Sequence, residues 1–170
     1  MLSETEKDAI KKGMMTLWFV WAAMVGSLLI YIYIGHAFGD EIRQPLHPDF
    51  PMELLRNILY GISIITILLS HFLRKFMLIV KNSGTSSGLL KYSTQSNQPL
   101  FLAKYSLAVM ISLALSESIA IYGLVLFLLG ADFQTFYIFT AISALSMFFY
   151  RPKRTELEGL AAAMQTKSAA

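Results

Sequence analysis

Apolar residues in this chain gather into long continuous runs, and short polar segments separate these runs. A half-buried β-strand alternates apolar and polar positions, whereas uninterrupted apolar runs of about 20 residues are typical of helices that cross a membrane. Backbone groups in lipid must also be paired internally, as they are in a helix. The pattern therefore predicts an all-α, four-helix polytopic membrane bundle. We expect one membrane domain of residues 1–170, with helices at about 14–38, 53–80, 100–129 and 134–150 and a flexible cytoplasmic loop at 81–99.

The composition and the distribution of charge support this assignment. Hydrophobic residues make up 55% of the chain and charged residues only 15%, whereas about a quarter of an ordinary soluble domain is charged. If the N-terminus, the 81–99 loop and the C-terminus share one side, only Arg43 and Arg56 of the 14 Lys and Arg residues lie on the other. The positive-inside rule then predicts a multi-pass protein of a bacterial-type inner membrane with both termini in the cytoplasm. We expect the chain to contact the lipid bilayer. We expect no nucleic-acid partner, because no basic patch with interleaved aromatic residues is present.

Sequence motifs for catalysis and for cofactor binding are absent. The chain has no cysteine, which excludes disulfides and thiolate metal sites. It also has no catalytic triad, phosphate-binding glycine loop or zinc motif. We therefore expect no enzymatic activity, no cofactor and no metal. Five polar residues around the outer loop lack the spacing of a metal site; they are His36, Asp40, Glu41, His47 and Asp49.

Glu117 interrupts a long apolar run, residues 105–129, near its middle. A charged carboxylate at bilayer depth costs roughly 3 kcal/mol or more, so an acid there is a candidate functional residue. No Lys or Arg lies at the same depth to hold it ionised. We expect Glu117 to be uncharged at rest and able to bind and release a proton. His71, near the inner interface, is a candidate relay for protons toward it.

Small residues recur around Glu117 at the spacing that lets a second helix approach closely. The acid borders this stripe, so a partner helix would shield it from lipid. The partner is expected to be another copy of the chain or another membrane subunit, although helix 4 could also cover the stripe. The expected ion ligands are hydroxyl groups at a similar depth. The helix-packing set is Ala108, Ser112, Ser116, Ala120 and Gly123, and the ion-binding set is Glu117, Ser116, Ser63 and Thr66.

The segment from Gln98-Pro99 through helix 3, with Ser116-Glu117-Ser-Ile-Ala-Ile-Tyr-Gly-Leu-Val125, resembles the proteolipid (c) subunit of rotary ATP synthases. In that family a polar cytoplasmic loop precedes a helix whose central carboxylate carries the transported proton or sodium ion. The resemblance covers residues 98–130 and implies that Glu117 is the ion carrier.

Two functions remain open from the sequence. The leading hypothesis is a membrane protein that binds or translocates a proton, or another cation, through Glu117. The alternative is a structural or assembly subunit of a larger membrane complex, with no transport activity of its own. In that case Glu117 is a packing group, and the 81–99 loop and the C-terminal tail dock to partners.

Overall fold

The structure is a computed structural model that describes residues 4–42, 50–79, 99–130 and 133–168; the predicted loop falls outside them except for Pro99. The described segments are helical and contain no β-strand, which confirms the all-α class. Their five helices are α1 (Glu4–Ile42), α2 (Met52–Ile79), α3 (Leu100–Leu128), α4 (Phe133–Phe149) and α5 (Arg154–Ser168).

The predicted helices correspond to α1 through α4, and the largest difference is at the start of α1. This helix begins at Glu4 rather than near residue 14. Its first turns are polar, so hydropathy does not detect them, yet Ile10, Met14 and Leu17 recur at helical spacing and are buried. Tertiary packing of this face therefore extends the helix beyond its apolar run.

Three of the described helices are long and apolar enough to span a membrane, namely α1, α2 and α3. The 17 residues of α4 give a helix of about 26 Å, slightly short of the roughly 30 Å hydrocarbon core. It meets α5 at a bend of 47°. If α4 and α5 are treated as one bent span, they form a fourth candidate membrane span. Only 11% of the apolar window in α1, and likewise in α2, is buried. Such extensive apolar surface is consistent with a multi-pass membrane protein whose helices face lipid.

Helix α3 is the centre of the bundle and packs against each of the other four described helices. It runs parallel to α1, because Gly13 of α1 lies against Leu102 at the start of α3. It runs antiparallel to α4, because Tyr105 near its start bonds to Lys153 just beyond the end of α4. The start of α1, the end of α2, the start of α3 and the end of α4 thus share one end of the bundle, which we call the inner end.

The α3–α4 hairpin covers the small-residue stripe from within the chain. The hairpin turns at Gly130, whose φ of 108° is a conformation that favours glycine. All five stripe residues are buried. The Ser143 hydroxyl of α4 donates a hydrogen bond of 2.7 Å to the carbonyl of Ser116, and Gly123 lies against Phe139. At these two points the stripe is occupied by α4.

Helix α5 folds back onto the inner end of the bundle. Its apolar residues Leu157, Leu160 and Ala161 join the core cluster that contains Ile10 of α1. Two hydrogen bonds fix the start of α5. The Tyr105 hydroxyl donates to the Lys153 carbonyl at 2.9 Å and accepts from the Lys153 amide at 2.7 Å. The tail is therefore part of the packed structure.

Substituting the stripe glycine tests the tight α3–α4 contact. In Gly123→Ala the added Cβ would lie 2.5 Å from the Phe139 Cβ and 3.3 Å from the Phe136 carbonyl oxygen, so the helices must separate. We expect the free energy of unfolding in detergent to fall by about 1–3 kcal/mol. The matched control is Gly61→Ala on α2, where the new Cβ meets no atom within 4 Å. That control should be neutral or stabilising by up to about 1 kcal/mol, and equal losses in the two variants would contradict the contact.

Candidate functional site

Glu117 of α3 is held by two hydroxyl groups of α1. Its Oε1 accepts a hydrogen bond of 2.6 Å from Ser27 and one of 2.9 Å from Tyr31. All three side chains are half-buried. Both distances are normal for O–H···O hydrogen bonds. The site is therefore a carboxyl group clamped between two helices.

The α1 sequence places the two donors together. Ser27 and Tyr31 are four residues apart, so they lie on the same face of the helix, one turn from each other. Leu28 beside them is buried in the core, and Met24 and Tyr31 pack against the same core cluster. Because α1 and α3 run parallel, this hydroxyl-bearing face meets α3 at the level of Glu117.

Ser27 has two acceptors within reach but only one hydroxyl hydrogen. Its Oγ lies 2.6 Å from Oε1 of Glu117 and 2.7 Å from the carbonyl oxygen of Met24. If the hydroxyl donates to Met24, the contact with Glu117 requires a proton on Glu117, which then donates to Ser27. If Glu117 is ionised, the hydroxyl must donate to it and leave Met24. The same positions of the heavy atoms therefore suit both protonation states of Glu117.

The part of α3 around Glu117 carries no positive charge. The nearest charged residue of α3 is Lys104, thirteen residues away, or about 20 Å along the helix axis. Among the described residues Glu117 forms no salt bridge, and its Oε2 accepts no hydrogen bond. An ionised carboxylate at bilayer depth would lack a neighbouring cation here, and that arrangement is energetically costly.

The other members of the predicted ion-binding set bond within their own helices. The hydroxyl of Ser116 donates to the carbonyl of Ser112, that of Ser63 to Leu59 and that of Thr66 to Ile62, each at 2.8 Å. Within the described segments none of these three hydroxyls bonds to Glu117. Such i to i−4 bonds satisfy a hydroxyl in lipid without help from another helix.

The two donors on α1 were missed by sequence reasoning. Tyr31 belongs to the apolar run of α1 and lies at the depth of Glu117. The available signal was the Ser27–Tyr31 pair, two hydroxyls one helical turn apart inside an apolar run. What the sequence could not show was the rotation of α1 that turns this pair toward α3.

The remaining polar candidates lie away from Glu117. The ring of His36 stacks on Phe133 and bonds to the hydroxyl of Tyr137, near the end of α1. His71 is exposed near the inner end, with its ring 6.4 Å from that of Phe149. The residues that the structure describes contain no group of three metal-ligating side chains. His47, Asp49 and the side chain of Asp40 lie outside them.

Comparisons with protein-family models, with curated proteins and with solved structures found no match to this chain.

Removing one donor tests the clamp. In Tyr31→Phe the ring remains and the hydroxyl is lost, so the free energy of unfolding in detergent should fall by about 1 kcal/mol, the usual value for an interhelical hydrogen bond in a membrane protein. Tyr33→Phe is the matched control, because Tyr33 is 65% exposed on another face of the same helix. We expect the control to keep its stability within a few tenths of a kcal/mol. Indistinguishable stabilities of the two variants would show that the Tyr31 bond contributes nothing.

Proposed function

We propose that this chain is a membrane protein that translocates protons by reversible protonation of Glu117. The observation that carries the proposal is the position of the Ser27 Oγ, which lies within hydrogen-bonding distance of both the Glu117 carboxyl and the Met24 carbonyl. A site that only packs helices needs one satisfied arrangement. This site has a satisfied arrangement for the acid and another for the carboxylate.

The proton cycle follows from these contacts. When a proton arrives at Oε1 of Glu117, the Ser27 hydroxyl turns to donate to Met24, and the new acid O–H donates to Ser27. When the proton leaves, the Ser27 hydroxyl turns back and donates to the carboxylate. The Tyr31 hydroxyl donates to Oε1 in both states. The exchange needs only hydroxyl rotation, and no helix has to move for the site to remain hydrogen-bonded.

The charge distribution supports a defined orientation of the bundle. At the inner end, α2 carries Arg74 and Lys75, α3 carries Lys104 and the α4–α5 junction carries Arg151 and Lys153. At the opposite end of the described helices, Arg56 is the only Lys or Arg residue. By the positive-inside rule we propose that the inner end faces the cytoplasm of a bacterial-type inner membrane.

The resemblance to the proteolipid subunit of rotary ATP synthases remains a prediction. The polar contacts around Glu117 support the carboxylate role that the resemblance implies, with a hydrogen-bonded acid in the middle of a helix. A ring of copies would need an outer surface for packing. The small-residue stripe of α3 does not offer one freely, because α4 already contacts Ser116 and Gly123.

A structural role is the second candidate function, and one observation favours it. Helix α1 has little of its apolar span buried. Its two hydrogen bonds to Glu117 therefore add a specific polar contact to the apolar contacts that hold α1 against α3. In this alternative the acid stays protonated and joins α1 to α3. The chain would then serve as a subunit of a larger membrane complex, without transport of its own.

Glu117→Gln separates the two functions. The glutamine amide can accept from Tyr31 and either accept from or donate to Ser27, but it cannot release a proton. We expect purified wild-type protein in liposomes to carry a proton flux, driven by a potassium diffusion potential and read by a trapped pH dye. The flux should fall to the level of protein-free liposomes in Glu117→Gln.

Ser118→Ala is the matched control, because the neighbouring Ser118 hydroxyl donates to Leu115 within α3. It should keep the wild-type flux. If Glu117→Gln also keeps it, or if wild-type protein carries neither protons nor sodium, translocation through Glu117 is refuted and the structural role stands. If the wild type carries sodium under a sodium gradient and no protons, the transported ion is sodium rather than the proton.

A further inference from the structure

We infer that the inner end of the bundle holds a binding site for the phosphate group of an anionic phospholipid. A cavity of about 300 Å³ opens there between α2 and the α4–α5 junction. Its basic side chains are Arg74, Lys75 and Lys153, and its apolar walls include Leu78 and Phe149. Neither the proton site nor the sequence motifs account for this cavity.

Arg74 is the fixed part of the site. Only 8% of the residue is exposed, and its guanidinium donates to the Tyr150 carbonyl at 2.8 Å and to Oε2 of Glu156 at 2.7 Å. Its charge also lies over the Tyr150 ring, 5.6 Å from the centroid. These contacts join α2 to the α4–α5 junction and keep the cavity wall in place.

Lys75 and Lys153 supply the charge that is available to a ligand. Glu156, the acidic residue of the cavity, bonds to Arg74 through Oε2 and lies 3.6 Å from Lys153 through Oε1. Three cations therefore face one carboxylate, which leaves a net charge of about +2 from the Lys, Arg and Glu side chains of the cavity. Lys75 is exposed and forms no salt bridge with a described residue. A phosphate diester is the anion that such a cluster recognises.

The setting indicates a lipid rather than free phosphate. The cavity lies where the apolar spans give way to Lys and Arg, the level at which headgroups lie. Its rim includes Phe149, which is 62% exposed. Phe72 of α2 is also exposed and lies on the side of Arg74 that is farther from the inner end. An acyl chain would cover these side chains, whereas an inorganic anion would not use them. Basic pockets between helices on the cytoplasmic side are known binding sites for anionic headgroups.

Native mass spectrometry with added lipid tests the site. Wild-type protein should retain phosphatidylglycerol about thirtyfold more strongly than phosphatidylcholine with identical acyl chains, since each of the two lysines contributes about fivefold. In Lys75→Gln/Lys153→Gln the preference should fall close to parity. Lys11→Gln/Lys12→Gln removes the same charge from exposed α1 positions outside the cavity, and should leave the preference unchanged.

Three results would overturn the inference. Equal retention of the two lipids by the wild type would show no headgroup site. Equal losses in the two double variants would assign the preference to diffuse surface charge. Displacement of phosphatidylglycerol by inorganic phosphate would show that the free anion is the ligand. If Lys75→Gln/Lys153→Gln unfolds, Lys75→Gln is measured alone. The preference should then fall by about fivefold, and an unchanged preference would contradict the site.

Discussion

The hydrogen bonds between Glu117 and the α1 hydroxyls are the interaction on which this account depends. An acid among apolar helices has to be neutral or paired, because an unpaired carboxylate at bilayer depth costs several kcal/mol. Ser27 and Tyr31 provide donors at 2.6 and 2.9 Å without adding a charge. The Met24 carbonyl offers Ser27 a second acceptor when Glu117 is protonated. The site is thus satisfied in two protonation states, and a reversible proton carrier needs this property.

The rest of the bundle holds α3 so that Glu117 keeps its position. On one side α3 is packed against α4 through small residues, with Gly123 against Phe139. At the inner end, Tyr105 and Arg74 bond to the backbone of the α4–α5 junction, so three helices and the tail are joined there. Helix α1 packs against α3 as well, and the two helices share one apolar core cluster. The Glu117 carboxyl therefore lies at a contact between two packed helices.

Most helices of the fold could be predicted from the sequence. Of the candidate site, only Glu117 could be predicted, and its hydrogen-bond partners could not. Apolar runs long enough to cross a bilayer predicted α1 through α4, because hydropathy and length are local properties. The polar start of α1 lay outside the predicted bounds and the docking of α5 was not predicted, since both depend on tertiary contacts of Ile10 and Leu157. Glu117 was evident because an acid in lipid is expensive. Its partners were not, because Ser116, Ser63 and Thr66 are as polar as Ser27, and only the rotation and register of the helices decide which hydroxyl reaches the carboxyl.

Infrared spectroscopy of the carboxyl group tests the central claim most directly. The purified protein would be measured at neutral pH in a detergent without carbonyl groups, beside Glu117→Gln as the reference. The account predicts a carboxylic acid C=O stretching band in the wild type that is absent from the variant, and that disappears reversibly as the pH is raised. A wild-type spectrum without this band would show that Glu117 is ionised at rest. A band that persists at every accessible pH would show an acid that never releases its proton, and either result would contradict the account.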